Sequence, residues 1–118
     1  MYELTVQLEF SAAHHLRNYP GKCSRLHGHN YRVEVTISAT EVDDSGMLID
    51  FGRLKQFCEQ VVDELDHSLL NDHPFFQQNN PTAENIARLI FEFTADHGFP
   101  VTKVELWETP NCFATYLP

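Results

Sequence analysis

The chain predicts an α+β fold, an antiparallel sheet carrying two helices on one face. Three observations lead there. Apolar and polar residues alternate strictly near both ends of the chain, in the manner of half-buried strands. Two segments in the middle switch to helical spacing. The resulting order, strand, strand, helix, helix, strand, strand, groups the helices between two hairpin-like pairs instead of alternating them with strands.

The first strand covers residues 2–10, with Tyr2, Leu4, Val6, Leu8 and Phe10 on one face. Residues 31–39 repeat the pattern: Tyr31, Val33, Val35, Ile37 and Ala39 point inward, and Arg32, Glu34, Thr36 and Ser38 outward. The run "DDSG" at 43–46 reads as a turn, leading into the short apolar "MLIDF". From Phe51 onward Leu54, Phe57, Cys58, Val61, Val62 and Leu65 make one apolar stripe, which places Cys58 in the core. In "NNPTAEN" Pro81 precedes Thr82, an N-cap, and Glu84 suits the first turn of a second helix. Ile86, Leu89, Ile90 and Phe93 form its buried face, and Gly98-Phe99-Pro100 ends it. "VTKVELWET" (101–109) and "CFATYL" (112–117) are the last two strands, joined by a turn at Pro110-Asn111. No repeat or internal linker interrupts the 118 residues, so a single domain over 1–118 is expected.

Composition narrows the function. A net charge of −9 argues against general nucleic-acid binding, which needs a basic face. No apolar run has the ~20 residues of a membrane span, and the alternating N-terminal segment lacks a signal-peptide block, so a cytoplasmic protein is expected. Three widely spaced cysteines, Cys23, Cys58 and Cys112, suit thiols better than a disulfide framework. Arg17, Lys22, Arg25 and Arg32 lie in a span free of Asp and Glu, either a solvated loop or a patch for a small polyanion.

The histidines carry the chemistry. Side chains switch faces at each strand residue. Even parity continued along the first strand reaches His14; odd parity counted back along the second reaches His29 and His27. Without a bulge, three imidazoles line one face at one end of the sheet, while His15 points away. Gly28, between the last two, would keep the approach to a ligand clear. Three imidazoles with an open fourth position suit a catalytic zinc ion, although iron, copper and nickel also take imidazole. The plain alternative is three separately satisfied histidines. Cys23 as a fourth ligand would instead make a closed structural site, hence a non-enzymatic zinc-binding module. Glu108 shares a face with Val104 and Leu106, where a carboxylate is costly unless paired or held for a ligand. Asp66-His67 ends the first helix, either serving the helix dipole or forming a proton-transfer pair beside Cys23. The spacing Gly21-x5-His27-x-His29-x4-Glu34 matches half of a cupin signature, but the second half is missing and Glu34 has outward parity.

Taken in order, "FSAAHHL", "CSRLHGHNYRV", "GMLIDFGRLK", "LDHSLLND", "NPTAEN" and "ELWET" closely resemble the 6-pyruvoyl- and 6-carboxy-tetrahydropterin synthase family, from about Phe10 to Thr109. The resemblance implies a T-fold, a four-stranded antiparallel sheet with two helices on one face. It also implies assembly as a homohexamer of two stacked trimers with active sites between subunits. His14, His27 and His29 would bind Zn2+. Cys23 would accept a proton without being a zinc ligand, His67 and Glu108 would complete the relay with Asp66 supporting His67, and Glu108 would also anchor the amino-pyrimidine edge of the pterin. Thr82 and Arg25 are candidate substrate-binding residues, Arg25 within a basic loop with Arg17 and Lys22 that would hold a triphosphate.

The implied substrate is 7,8-dihydroneopterin triphosphate. The three residues between Cys23 and His27 resemble the shorter spacing of the bacterial 6-carboxy enzymes of the queuosine (7-deazaguanine) route, which release acetaldehyde and triphosphate. The pyruvoyl enzymes place more residues there. His15 stands where an arginine is frequent in the family.

Overall fold

The structure, a computed structural model, describes residues 1–118. Its long axis is the pairing of β1 (Tyr2–His14) with β2 (His27–Ala39). The two strands are antiparallel and in continuous register from Tyr2 opposite Ala39 to His14 opposite His27. No bulge interrupts this ladder, so parity set among the apolar residues carries through to the histidines. Both strands extend past the alternating runs, β1 by four residues and β2 by four at its start.

Helix α1 (Phe51–Leu65) starts where Asp50 accepts from the Arg53 N–H, and buries Leu54, Cys58, Val61, Val62 and Leu65. Helix α2 (Ala83–Asp96) is capped by Thr82, whose hydroxyl accepts from the Asn85 N–H. Its deepest residues are Ile86, Ala87, Ile90, Phe91 and Thr94. Leu89 and Phe93, expected in the buried face, sit at its margin, where Phe93 stacks on Phe57 with ring centroids 5.0 Å apart. Cys58 is in the core as expected; burial pushes its thiol up to about 11, partly offset by a hydrogen bond with Thr94.

The sheet has five strands where the sequence predicts four. Strand β3 is only Ser68–Leu69, pairing in parallel with Ala12 and Ala13 of β1. Two residues carry no period, so no pattern announces them. β4 (Val101–Thr109) and β5 (Cys112–Tyr116) complete the order β3-β1-β2-β4-β5. Both helices cover one face, and one apolar core joins Val6, Leu8, Val33, Val35, Leu54, Val61, Ile86, Ile90, Val104 and Leu106. Toward the histidine end this core finishes in Phe10 stacked on Tyr31, with centroids 4.9 Å apart.

Candidate metal centre

His14 and His27 are directly opposite in the β1–β2 ladder, and His29 is opposite Ala12. All three rings lie on the inner face, with centroids 4.6 Å (His14–His27), 5.2 Å (His14–His29) and 4.9 Å (His27–His29) apart. Glu108, on the neighbouring β4, reaches the same point. One ligand atom from each of His14, His27, His29 and Glu108 falls within 4.8 Å of all the others, a group that could hold a metal ion. Cys23 is outside it.

Hydrogen bonding prepares these atoms for a cation. Nδ1 of His14 lies 2.7 Å from the Pro81 carbonyl oxygen, and Nδ1 of His27 lies 2.7 Å from that of Arg25. A carbonyl oxygen only accepts, so each Nδ1 carries the hydrogen and each Nε2 presents a lone pair. Those two Nε2 atoms face each other at 3.1 Å. Two lone pairs at that distance repel unless a proton or a metal ion lies between them. Nε2 of His29 is buried and 3.0 Å from Glu108 Oε1, yet misaligned for a hydrogen bond, which leaves it without a partner. Such an orphan is costly unless a ligand uses it. Burial lowers the proton affinity of His14 and His29 despite the opposing pull of Glu108. Neutral imidazoles are the form that binds metal. A donor set of three ring nitrogens and one carboxylate fits zinc and, less selectively, other divalent ions. The Tyr31 hydroxyl lies 3.3 Å from Nδ1 and 3.4 Å from Nε2 of His14, and burial keeps that phenol protonated.

Other residues singled out by sequence fall in different places. Cys23 is half-buried in a short turn, Lys22–Ser24, and its carbonyl accepts from the Leu16 N–H at 2.8 Å. Asp66 accepts from the Ser11 N–H and from Nδ1 of His67, both at 2.9 Å, which hold its carboxyl below the usual range. His67, in a left-handed conformation (φ 55°), is 83% exposed. It shares a cavity with Glu9, Ser11, Asn30 and Arg32, of outward parity, and with Phe10 and Tyr31; none of the three histidines lines it. Within one chain the Asp66–His67 pair therefore does not stand beside the inner-face histidines; the helix-end position gave its chain location but not its face.

Gly28 is a correction. Its parity is outward, so a missing side chain there clears nothing for the inner-face cluster; an added Cβ would meet the Ala12 carbonyl oxygen at 3.3 Å. The four basic residues do not form one patch. Arg17 donates to the Phe76 carbonyl at 2.7 Å, whereas Arg32 lies over the Trp107 ring on the outer face, 4.3 Å from its centroid. Arg25 contributes its carbonyl to His27, and the Thr82 hydroxyl is engaged as the α2 cap. The carbonyls of Pro81 and Arg25 were invisible to sequence reading, because every residue type has one.

The fold and centre define an α+β protein whose long central strand pair bears three histidines and a glutamate at one end of its inner face. Comparison with known proteins makes this specific. Residues 3–118 match the family model described as 6-pyruvoyl tetrahydropterin synthase, and the chain belongs to that family. It is 37% identical to the 6-carboxy-5,6,7,8-tetrahydropterin synthase of Rickettsia conorii, over 96% of this chain and 98% of the relative. With the Bacillus subtilis protein of the same name it shares 38% identity, over 99% and 86% of the two chains. The structure of Caenorhabditis elegans 6-pyruvoyl tetrahydropterin synthase superposes with a TM-score of 0.86 at 34% identity, covering 100% of this chain and 97% of that one. The T-fold is thereby shown.

Proposed function

We propose that the protein is a zinc-dependent lyase that converts 7,8-dihydroneopterin triphosphate to 6-carboxy-5,6,7,8-tetrahydropterin, releasing acetaldehyde and triphosphate. The observation that carries the reading is the convergence of three Nε2 atoms, those of His14 and His27 with lone pairs aimed at each other and that of His29 without a hydrogen-bond partner. The 6-carboxy names of the Rickettsia and Bacillus relatives support the product.

His14, His27 and His29 would hold the zinc, with Glu108 within reach of it. Zinc bound there supplies Lewis acidity to the hydroxyl oxygens of the substrate's side chain. The Glu108 carboxylate can accept two parallel N–H bonds from the amino-pyrimidine edge and so fix the ring. Cys23 accepts the proton from the side-chain carbon; the thiolate form is the one that takes it. His67, oriented by Asp66, returns or relays the proton. Arg25 and Lys22, in the turn around Cys23, suit the triphosphate, and Thr82 lies beside the Pro81 carbonyl that holds His14.

An oligomer is part of the proposal. Strand β3 covers only Ala12 and Ala13, leaving most of β1 as an open edge, and β5 is open at the other side of the sheet. Exposed edges are commonly paired. A neighbouring chain in a trimer, two of which would stack as a hexamer, gives His67 a route to a set of histidines that its own chain does not offer it.

A 6-pyruvoyl product is the second reading, favoured by the resemblance to the Caenorhabditis elegans structure. Incubation with dihydroneopterin triphosphate and mass spectrometry of the products separates the two. Acetaldehyde with a 6-carboxy pterin is the expected result; a pyruvoyl pterin selects the second reading, and no turnover removes both in favour of a binding module.

A further inference from the structure

Beyond His14 the chain leaves the sheet, yet residues 15–17 remain held as if on a strand. The Asn71 side chain accepts from the His15 N–H through Oδ1 and donates from Nδ2 to the His15 carbonyl, both at 2.9 Å. Two residues on, Asn80 repeats the pattern on Arg17, Oδ1 accepting at 2.9 Å and Nδ2 donating at 3.0 Å. A carboxamide that bonds N–H and C=O of one residue replaces one rung of a β-ladder. Residues 15 and 17 alternate with Leu16, whose N–H donates to the Cys23 carbonyl. The segment is thus a quasi-strand, with two asparagine amides at residues 15 and 17 and the cysteine loop bonded at residue 16 between them.

Both asparagines are themselves held. Gln77 Nε2 donates to the Asn71 carbonyl at 2.8 Å, and Asn71 is 9% exposed. The Asn80 carbonyl accepts from Asn85 Nδ2 at 2.9 Å and from the Thr82 N–H at 2.7 Å, in the first turn of α2. The next residue, Pro81, supplies the carbonyl that sets the His14 tautomer. From the other side the Cys23 loop is tied by the Arg25 carbonyl to His27.

We propose that Asn71 and Asn80 are positioning residues that hold the 15–17 segment as a quasi-strand, and through Leu16 fix Cys23 relative to the three histidines. The catalytic part of this inference rests on the proton-acceptor role of Cys23; the positional part does not.

Residue-resolved amide hydrogen exchange on the unmodified protein tests the clamp directly. The His15, Leu16 and Arg17 amides should exchange as slowly as neighbouring β1 amides; free-loop rates at His15 and Arg17 would overturn the proposal. Asn71→Ala and Asn80→Ala should then speed exchange at 15–17 while leaving Val6 and Val35 protected. In a Cys112→Ser background, where Cys58 is buried and Cys23 is the reporting thiol, iodoacetamide should alkylate Cys23 faster in both variants. Turnover should lose about 100-fold in kcat with KM within about twofold, the pattern of a displaced reacting group. Parent-like alkylation and exchange in folded variants would sink the clamp. A variant that fails to fold leaves the exchange measurement on the unmodified protein to decide. If the parent shows no turnover, the lyase reading fails while exchange and alkylation still decide the positional claim.

Discussion

The two ends of the β1–β2 ladder share one geometry and differ in what lines it. At one end Val6 faces Val35 and Leu8 faces Val33, all buried beneath both helices. Past the Phe10–Tyr31 stack, the same inward positions carry His14, His27 and His29. The apolar end leaves no polar atom to satisfy. The histidine end gathers lone pairs that the protein alone does not satisfy, and its surroundings come from loops: Pro81, Arg25, Asn71 and Asn80. One end stabilises the chain and the other depends on that stability to keep its orphaned atoms together.

Breaking the polar end should leave the apolar end standing. His27→Ala is expected to reduce bound zinc to background and abolish product formation, with cooperative unfolding retained; metal analysis and mass spectrometry check it, and parent-level zinc would exclude His27 as a ligand. The converse change, Ile37→Ala, removes a fully buried side chain beneath the helices. It should cost about 2–5 kcal/mol in denaturant unfolding without altering metal stoichiometry.

A finer cut separates ligand from substrate anchor. Glu108→Gln should weaken pterin binding by about 3 kcal/mol through the loss of charge-assisted hydrogen bonds, while zinc content stays at the parent level. Loss of zinc in that variant would instead make Glu108 a metal ligand.

The smallest effect is in pH. His14 and His29 titrate below their ordinary 6.5 in the fold because burial disfavours the charged form. The unfolded chain therefore binds more protons than the native one as pH falls. The stability these two contribute to metal-free protein is complete above about pH 6.5 and is lost through the window between 6.5 and their depressed values. Thermal melts of chelator-treated protein from pH 8 to 5 should show it, with a weaker slope in His14→Gln; a flat profile would mean that neither imidazole is held neutral.

Much of this was legible in advance. The inward parity of His14, His27 and His29 could be counted because thirteen consecutive pairs of β1 and β2 run without a bulge. The caps at Asp50 and Thr82 follow from local chemistry. The face taken by His67 was not legible, since a positive φ at a helix end turns the chain in a way that no periodicity records. The inward parity of Glu108 was legible and the resemblance put it in the site, but its 3.0 Å approach to His29 depends on how β4 registers against β2.

The sequence by itself determined the strand parities, the two helices with their starts, the family resemblance and the identity of the three imidazoles, because each depends on residue type at short range. Only the tertiary structure decided that two carbonyls would orient the rings of His14 and His27, and that Asn71 and Asn80 would extend β1 beyond its end. These are contacts between segments up to 67 residues apart, made largely by backbone groups common to every residue, so no local pattern distinguishes them.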